Sequence, residues 1–339
     1  MIVPVTELEY QKGQAVFEAA PGVEFVPVPA DEDTLATFVK ETNCRAVVVG
    51  VTQYTGALYQ ALPAGGVVLR FGVGTDSLDF AQVRERDLLV ANTPGALDRS
   101  VAEHTLFLIG ALLRKIAAGD QALKAGQWAS QAGNELAGRR LAVIGLGRIG
   151  YRVARAAYLG FGAQVLVGEI DSEEDAAARL GVSLERLRRD IGYILWADEF
   201  EKLLLEAEVV SVHLPLHTGT RHIFNTSIFQ IFRPGALFVN TARGGLVDEA
   251  ALAVALRKER LGGAALDVFE YEPYCPVNAA SDLRTLPNVV MTPHVASNTA
   301  AANRRMAEMV VENLQNWMLG DLNAVHLVGE GEFISINTF

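Results

Sequence analysis

Ten short aliphatic runs punctuate this chain: "VEFVPV", "AVVVG", "VVLRFG" and "LLVAN" in the first hundred residues, then "LAVIG", "QVLVGE", "VVSVHL", "ALFVN", "AALDVF" and "VVMTP". They are continuous rather than alternating, and segments of helical period separate them. A strand with one wet face alternates apolar and polar residues, whereas a strand covered on both faces does not. The pattern therefore predicts an α/β architecture of parallel sheets with helices on both sides. With 339 residues, half of them hydrophobic, there is material for about two such bodies.

The division can be placed. "SVAEHTLFLIGALLRKIAAGDQALKAG", residues 100–126, reads as one long helix joining two lobes, with Ser100 as N-cap and Glu103 as its capping-box partner. After "VVMTPH" comes a second long helical segment, "NTAAANRRMAEMVVENLQNWMLG", and then only a short tail. An inner lobe of residues 101–296 is thus expected to interrupt an outer lobe made of residues 1–100 and 297–339. Residues 172–200 are long for a strand-to-strand connection and are assigned to a helix plus an added excursion.

Charge and cysteine content narrow the function. A formal net charge of -11 opposes nucleic acid or an anionic membrane surface as the main partner, because both require a basic footprint. Two cysteines, Cys44 and Cys275, are too few and too far apart for a disulfide framework or a cysteine-rich zinc site. The start lacks the basic-then-apolar pattern of a signal peptide, and no uncharged apolar run approaches the roughly 18 residues of a membrane span. A cytoplasmic protein is expected.

"LAVIGLGRIGYRVARAA" sets Gly145, Gly147 and Gly150 in the spacing G-x-G-x-x-G between an apolar strand and a helix. Glycines there allow a tight turn and close approach of main-chain N–H groups to a pyrophosphate, and the helix N-terminus favours the anion. The next strand ends at Glu169, 19 residues after Gly150, where an acid can hold an adenosine ribose hydroxyl. With Asp171, Glu173 and Glu174 close behind, a 2′-phosphate would be repelled, so NAD is expected in preference to NADP. A glycine-rich turn without ligand is the plain alternative.

Three further strands each run out at an ionisable residue. Arg243 follows "ALFVN", Glu270 and Glu272 follow Asp267 of "AALDVF", and His294 follows "VVMTP". Ligands bind beyond the carboxyl ends of strands in open α/β sheets. A guanidinium can grip a carboxylate bidentately, and a histidine beside a carboxylate can give or take a proton near neutral pH. Singly, each has a structural reading: an ion pair for Arg243, a turn cap for Glu272, a satisfied histidine for His294. Together they describe hydride transfer to a 2-oxo acid.

The segments "FGVGTDSLD", "NTPGALDRSVAEHTL", "VIGLGRIG", "VSVHLPLHTGTRHIF", "RPGALFVNTARGGLVDEAAL", "GGAALDVFEYEP" and "TPHVAS" resemble, in order, those of the NAD-dependent D-isomer specific 2-hydroxyacid dehydrogenases. The resemblance covers roughly residues 45–325. It implies a Rossmann coenzyme domain inserted into a flavodoxin-like substrate domain, both doubly wound. It implies that Arg243 binds the substrate carboxylate, that His294 is the acid/base and that Glu272, rather than Glu270, is its partner. Asp267 would hold the nicotinamide carboxamide, and Val73 and Gly74 would offer N–H groups to the substrate carboxylate. The coenzyme would also meet Arg148 and Ile149 of the glycine loop, His213 and Pro215 of "HLPL", and Thr241 and Ala242 of "NTARG". A homodimer built on the first helix of the coenzyme lobe is likewise implied.

The chain departs from that family in places. One extra residue before the acidic strand end leaves Asp171 as an alternative to Glu169, and the 172–200 stretch is unusually long. No regulatory domain is expected after residue 339. Formate or phosphite oxidation is disfavoured, since relatives with those activities look different at the positions of Glu272 and Val73; an NAD(H)-sensing co-regulator of the same fold stays open. His104, His217 and His222 do not form a helical metal-ligand pair, so no metal is expected. His213 either touches adenine or packs its loop. Tyr54, Arg70 and Tyr274 can face the substrate or turn away. Arg70 is expected to be a solvated charge.

Overall fold

In the computed structural model, which describes residues 1–329, the aliphatic runs become strands of two parallel sheets. The first unit begins β1 (Ile2–Thr6), α1 (Glu7–Glu18), β2 (Glu24–Val28), α2 (Glu32–Thr42), β3 (Ala46–Val49), α3 (Ala57–Ala61), β4 (Val67–Arg70), α4 (Phe80–Glu85) and β5 (Leu89–Ala91). Its strand order is β2-β1-β3-β4-β5, the flavodoxin-like order. Ala46 and Val48 of β3 point into one buried cluster and Val47 and Val49 into another, so every strand position is apolar. Both faces are covered, which is why the run does not alternate.

The second unit, Asp98–Ala296, comprises α5 (Asp98–Leu113), α6 (Ile116–Lys124), β6 (Arg140–Ile144), α7 (Arg148–Phe161), β7 (Gln164–Gly168), α8 (Glu173–Leu180), α9 (Leu184–Ile191), β8 (Leu195–Ala197), α10 (Phe200–Glu206), β9 (Val209–Val212), α11 (Thr226–Ile231), β10 (Ala236–Asn240), α12 (Glu249–Arg257), β11 (Leu261–Leu266) and β12 (Val289–Met291). Its sheet runs β12-β11-β10-β9-β6-β7-β8, the Rossmann order with one more strand at the β12 edge. The chain then returns to the first unit as α13 (Ala300–Leu319), capped by the Thr299 hydroxyl on Ala302 N and ended by Gly320 in the left-handed region. Among the described residues no helix is long and apolar enough to cross a membrane.

Three local expectations are corrected. The helix expected over 100–126 begins at Asp98, so Ser100 lies inside its first turn, and Glu103 pairs with Arg99 at 3.0 Å instead of closing a capping box. It also stops at Leu113: Lys115 is left-handed (φ 53°), and α6 starts afresh. The carbonyl of Leu113 is met by Asn134 N at 2.8 Å, a bond from a later segment that ends the helix where periodicity alone would carry on. Second, two strands escape the sequence pattern. β1 contains Pro4, which argues against an interior strand, and β8 has only three residues. Third, residues 172–200 hold two capped helices and β8. Ser172 caps α8 through Asp175 N, Ser183 caps α9 through Arg186 N, and Leu187 and Ile191 join the cluster of Val153 and Ala157 on α7. Asp190 accepts from Tyr151 Oη at 2.6 Å and from Arg155 Nε at 3.1 Å, fastening α9 to α7.

Candidate active site

The glycine loop joins β6 to α7. Gly145 has φ 93°, and a Cβ there would lie 2.8 Å from His213 O; one on Gly150 would lie 2.1 Å from Gly145 O, so the turn and the helix can close on each other only without side chains. A Cβ on Gly147, the N-cap of α7, would meet nothing within 4 Å. The space above it is therefore open, at the N-terminus of a 14-residue helix whose first residues are Arg148 and Ile149. Such a cradle fits a dinucleotide pyrophosphate.

Glu169 stands one residue beyond β7. Its carboxylate accepts from Leu146 N at 2.9 Å and from Ile170 N at 3.0 Å, which sets it against the glycine loop; Asp171 lies further out. Arg179 of α8 reaches both acids, at 2.8 Å to Glu169 and in close contact with Asp171. The ring of His213 turns inward to Ser211 Oγ at 2.9 Å, and burial pushes its pKa down to about 3, so it is a neutral loop-packing group here. Pro215 is exposed two residues on.

The other end of the site is assembled from three adjacent strands, β10, β11 and β12. Asn240 is fully buried at the end of β10; its side chain accepts from Ala242 N at 3.0 Å and donates to Arg243 O at 2.8 Å, an Asx turn that throws Arg243 off the strand. Arg243 is half-buried and donates from Nη1 to Ala242 O at 2.7 Å. The next residue must be glycine, because a Cβ on Gly244 would stand 1.9 Å from the Phe269 carbonyl. This contact presses the arginine turn onto the loop that carries Glu270 and Glu272.

His294 Nδ1 and Glu272 Oε2 are 2.6 Å apart, and the other Glu272 oxygen accepts from Phe269 N at 2.9 Å. The two side chains keep 34% and 32% exposure, so the pair can be reached from solvent. Glu270 instead meets His222 Nε2 at 3.0 Å. With Glu272 accepting the Nδ1 proton, the free Nε2 of His294 is left to exchange a proton with a ligand. His294 has φ 50°, a conformation that costs a non-glycine residue about 1 kcal/mol or more.

Asp267 supplies what holds it there. Its carbonyl accepts from His294 N at 2.8 Å, and its fully buried carboxylate accepts from Val295 N at 2.9 Å, Ala296 N at 2.8 Å and Thr292 Oγ1 at 2.6 Å. Burial pushes the Asp267 pKa up, but the nearby His104 at 3.6 Å and the hydrogen bonds from Thr292 and the two N–H groups outweigh it and hold the carboxyl below its ordinary range. Thr241 is similarly turned inward, 2.8 Å from Thr105 Oγ1 of α5, while Ala242 stays half-buried beside it. Glu249, at the start of α12, accepts from Glu270 N at 2.6 Å; burial is the main reason that its pKa is pushed up to about 7.

In the first unit, Arg70 is not the solvated charge expected of it. It is 6% exposed and folds under the loop after β4, donating from Nε to Gly74 O at 2.9 Å and from Nη1 to Phe71 O. A tight loop whose carbonyls turn inward needs donors, and a guanidinium supplies several. Val73 O accepts from Asn92 Nδ2 at 2.8 Å, while the N–H groups of Val73 and Gly74 meet no acceptor among the described residues. Tyr54 is buried, and Tyr274 uses its hydroxyl to accept from Leu283 N, so both serve packing.

Sequence reasoning weighed His104 only as a metal ligand and passed over Thr105, Asn240, Glu249 and Thr292. Asn240 carried a readable signal, an Asx residue at a strand end before a turn. The others did not, since each acts on a segment remote in sequence. Among the described residues no group of three or more His, Cys, Asp or Glu side chains is placed to hold a metal ion.

Comparison with known proteins identifies the family. The D-isomer specific 2-hydroxyacid dehydrogenase NAD-binding domain model matches residues 106–296. The chain is 36% identical over 287 residues to a glyoxylate reductase from Korarchaeum cryptofilum, covering 83% of this chain and 81% of that protein. It is 35% identical over 285 residues to a D-3-phosphoglycerate dehydrogenase from Archaeoglobus fulgidus, of which it spans 51% against 83% of its own length. A solved NADPH-dependent glyoxylate/hydroxypyruvate reductase from Sinorhizobium meliloti, in complex with NADP and malonate, has a TM-score of 0.77 at 28% identity and covers 94% of this chain and 93% of that one. The chain belongs to the D-isomer specific 2-hydroxyacid dehydrogenase family and is an NAD-dependent oxidoreductase of it.

Proposed function

We propose that the protein interconverts a small 2-oxo acid and its D-2-hydroxy acid, with His294 as acid/base, Glu272 as its partner and Arg243 as the carboxylate-binding cation. The observation that carries this reading is the 2.6 Å His294–Glu272 contact on a loop pressed against the Arg243 turn. In the reducing direction Arg243 grips the substrate carboxylate and polarises the neighbouring carbonyl. His294 delivers the Nε2 proton to the oxo oxygen, and Glu272 keeps the ring oriented and stabilises the charge change. NAD(H), when bound, supplies or accepts the hydride. The N–H groups of Val73 and Gly74 are assigned as further donors to the substrate carboxylate. The second unit is assigned as the coenzyme domain and the first as the substrate domain.

Gly145, Gly147, Arg148, Ile149 and Gly150 are assigned to the pyrophosphate, and Glu169 to the adenosine ribose. NAD is preferred on this reading, because a 2′-phosphate would have to draw Arg179 away from two carboxylates. A homodimer through α5 and α6 is supported by Phe107, Ile116, Leu123 and Trp128, whose apolar side chains are all largely exposed. A cytoplasmic location without nucleic-acid or membrane partners accords with the net charge of -11.

The test is NADH oxidation against glyoxylate, hydroxypyruvate, phosphohydroxypyruvate and pyruvate, with NADPH run beside it. The relatives' names make the first three the leading substrates. Turnover with NADH exceeding NADPH is expected. Tight NADH binding without turnover on any 2-oxo acid would overturn the enzymatic reading in favour of a co-regulator.

A further inference from the structure

His104 sits on α5, next to Thr105, and the two neighbours reach different strand ends: Thr105 meets Thr241 beyond β10, and His104 meets Thr292 beyond β12. The His104 Nε2 atom lies 3.1 Å from Thr292 Oγ1 and 3.6 Å from Asp267 Oδ1. Thr292 has one hydroxyl proton, and it is donated to Asp267 at 2.6 Å. Its oxygen can therefore only accept from the imidazole, which makes Nε2 the protonated nitrogen of His104. A directed chain results, from His104 N–H to Thr292 O–H to the Asp267 carboxylate. The same carboxylate accepts from the N–H groups of Val295 and Ala296, and the Asp267 carbonyl accepts from that of His294.

We infer that His104 is a positioning residue for the reaction: through Thr292 and Asp267 it holds the 294–296 turn, and so the direction in which the His294 imidazole faces the substrate. The inference rests on His294 being the acid/base. Asp267 is then a brace of the acid/base turn in addition to any contact it makes with coenzyme. His104 touches no reacting atom, so it governs the fraction of bound complexes in which proton transfer is aligned and leaves coenzyme affinity alone. Groups that hold a reactive side chain through an intervening partner are commonly worth about 10- to 100-fold. The 3.1 Å bond to a neutral hydroxyl puts His104 at the lower end.

The experiment compares His104→Leu, His104→Gln, Thr292→Val and the His104→Leu/Thr292→Val double variant in the full chain, with His294→Ala as reference. Leucine removes the donor at similar bulk, and glutamine restores an N–H near the position of Nε2. Expected for His104→Leu is a kcat lowered about 5- to 20-fold with the KM for NADH within about twofold, and a larger solvent isotope effect on kcat as proton transfer becomes more limiting. His104→Gln should recover most of the loss. The double variant should be no worse than Thr292→Val alone, because both act along one chain. Wild-type kcat in His104→Leu, equal loss in His104→Gln, or additive losses in the double variant would each overturn the inference while leaving the acid/base assignment intact. An undiminished kcat in His294→Ala would instead remove that assignment, and the inference with it. Should His104→Leu prove unfolded by circular dichroism, His104→Gln and Thr292→Val against Thr292→Ser carry the same comparison.

Discussion

The two ends of the coenzyme unit are built on opposite plans. At the β6–β7 end, the glycine loop is main chain: six consecutive residues, Gly145 to Gly150, form the turn, and the acid that touches it, Glu169, closes the next strand. At the β10–β12 end, side chains from α5 and from beyond β11 and β12 meet one another, His104 on Thr292, Thr292 on Asp267 and Glu272 on His294, with Arg243 following β10. A main-chain site tolerates almost no added atoms but little else can disturb it. A side-chain site can be rebuilt atom by atom, and each support can be removed singly. The first end should therefore fail by steric exclusion of the coenzyme and the second by loss of alignment with coenzyme still bound.

The largest expected effect breaks the second end at its centre. His294→Ala should lower kcat by about 10²- to 10⁴-fold while NADH affinity stays near wild type, read by steady-state kinetics and by NADH fluorescence titration. Lost NADH binding would instead mark His294 as structural. Next comes the first end. Gly150→Ala sets a Cβ 2.1 Å from Gly145 O, so NADH affinity should fall by roughly tenfold or more, with the loss seen in the Kd. If that variant binds NADH normally and loses only kcat, the contrast drawn between the two ends is wrong.

On the proposed reading, Arg243→Ala removes a charge-assisted contact to the reacting molecule. It should raise the KM for the 2-oxo acid and depress kcat together, by about 10- to 100-fold in kcat/KM. An unaltered KM would place the substrate carboxylate elsewhere. The smallest effect is on stability. Burial raises the Glu249 pKa to about 7 from 4.5, so the folded protein keeps this proton longer than the unfolded chain does. The sign follows: relative to Glu249→Gln, the wild type loses stability as pH rises from about 4.5 to about 7, by about 3 kcal/mol, and no more above that range. Urea unfolding of both proteins at about pH 5 and about pH 8 measures it, and a wild type that does not lose stability relative to Glu249→Gln at the higher pH removes the claim.

Legibility followed the same division. Gly145, Gly147, Gly150 and Glu169 could be read because a strand, a turn and a helix follow one another without interruption. Arg243, Glu272 and His294 could be read as residues at strand ends, and their order in the sheet follows from the connections. The hold on them was not readable. His104 lies 188 residues from Thr292, and nothing local distinguishes it from any histidine on a half-buried helix. Arg70 sits in an apolar strand and looks like a charge seeking water, yet the carbonyls of its own loop turn back to claim it.

The α/β class, the two parallel sheets and the chemistry available at each strand end were thus legible before any fold was known. Those depend on burial pattern and on spacings of a few residues, which the chain carries locally. Where α5 ends, the place of β1 and β8 in the sheets and the bracing of the 294–296 turn were set by tertiary contacts. Each of these turns on hydrogen bonds whose partners are distant in sequence: Asn134 to Leu113, the β1 ladder to β2 and the β8 ladder to β7, and His104 to Thr292 and Thr292 to Asp267. A buried donor or acceptor must find a partner wherever the fold puts one, and that choice is not written at either residue alone.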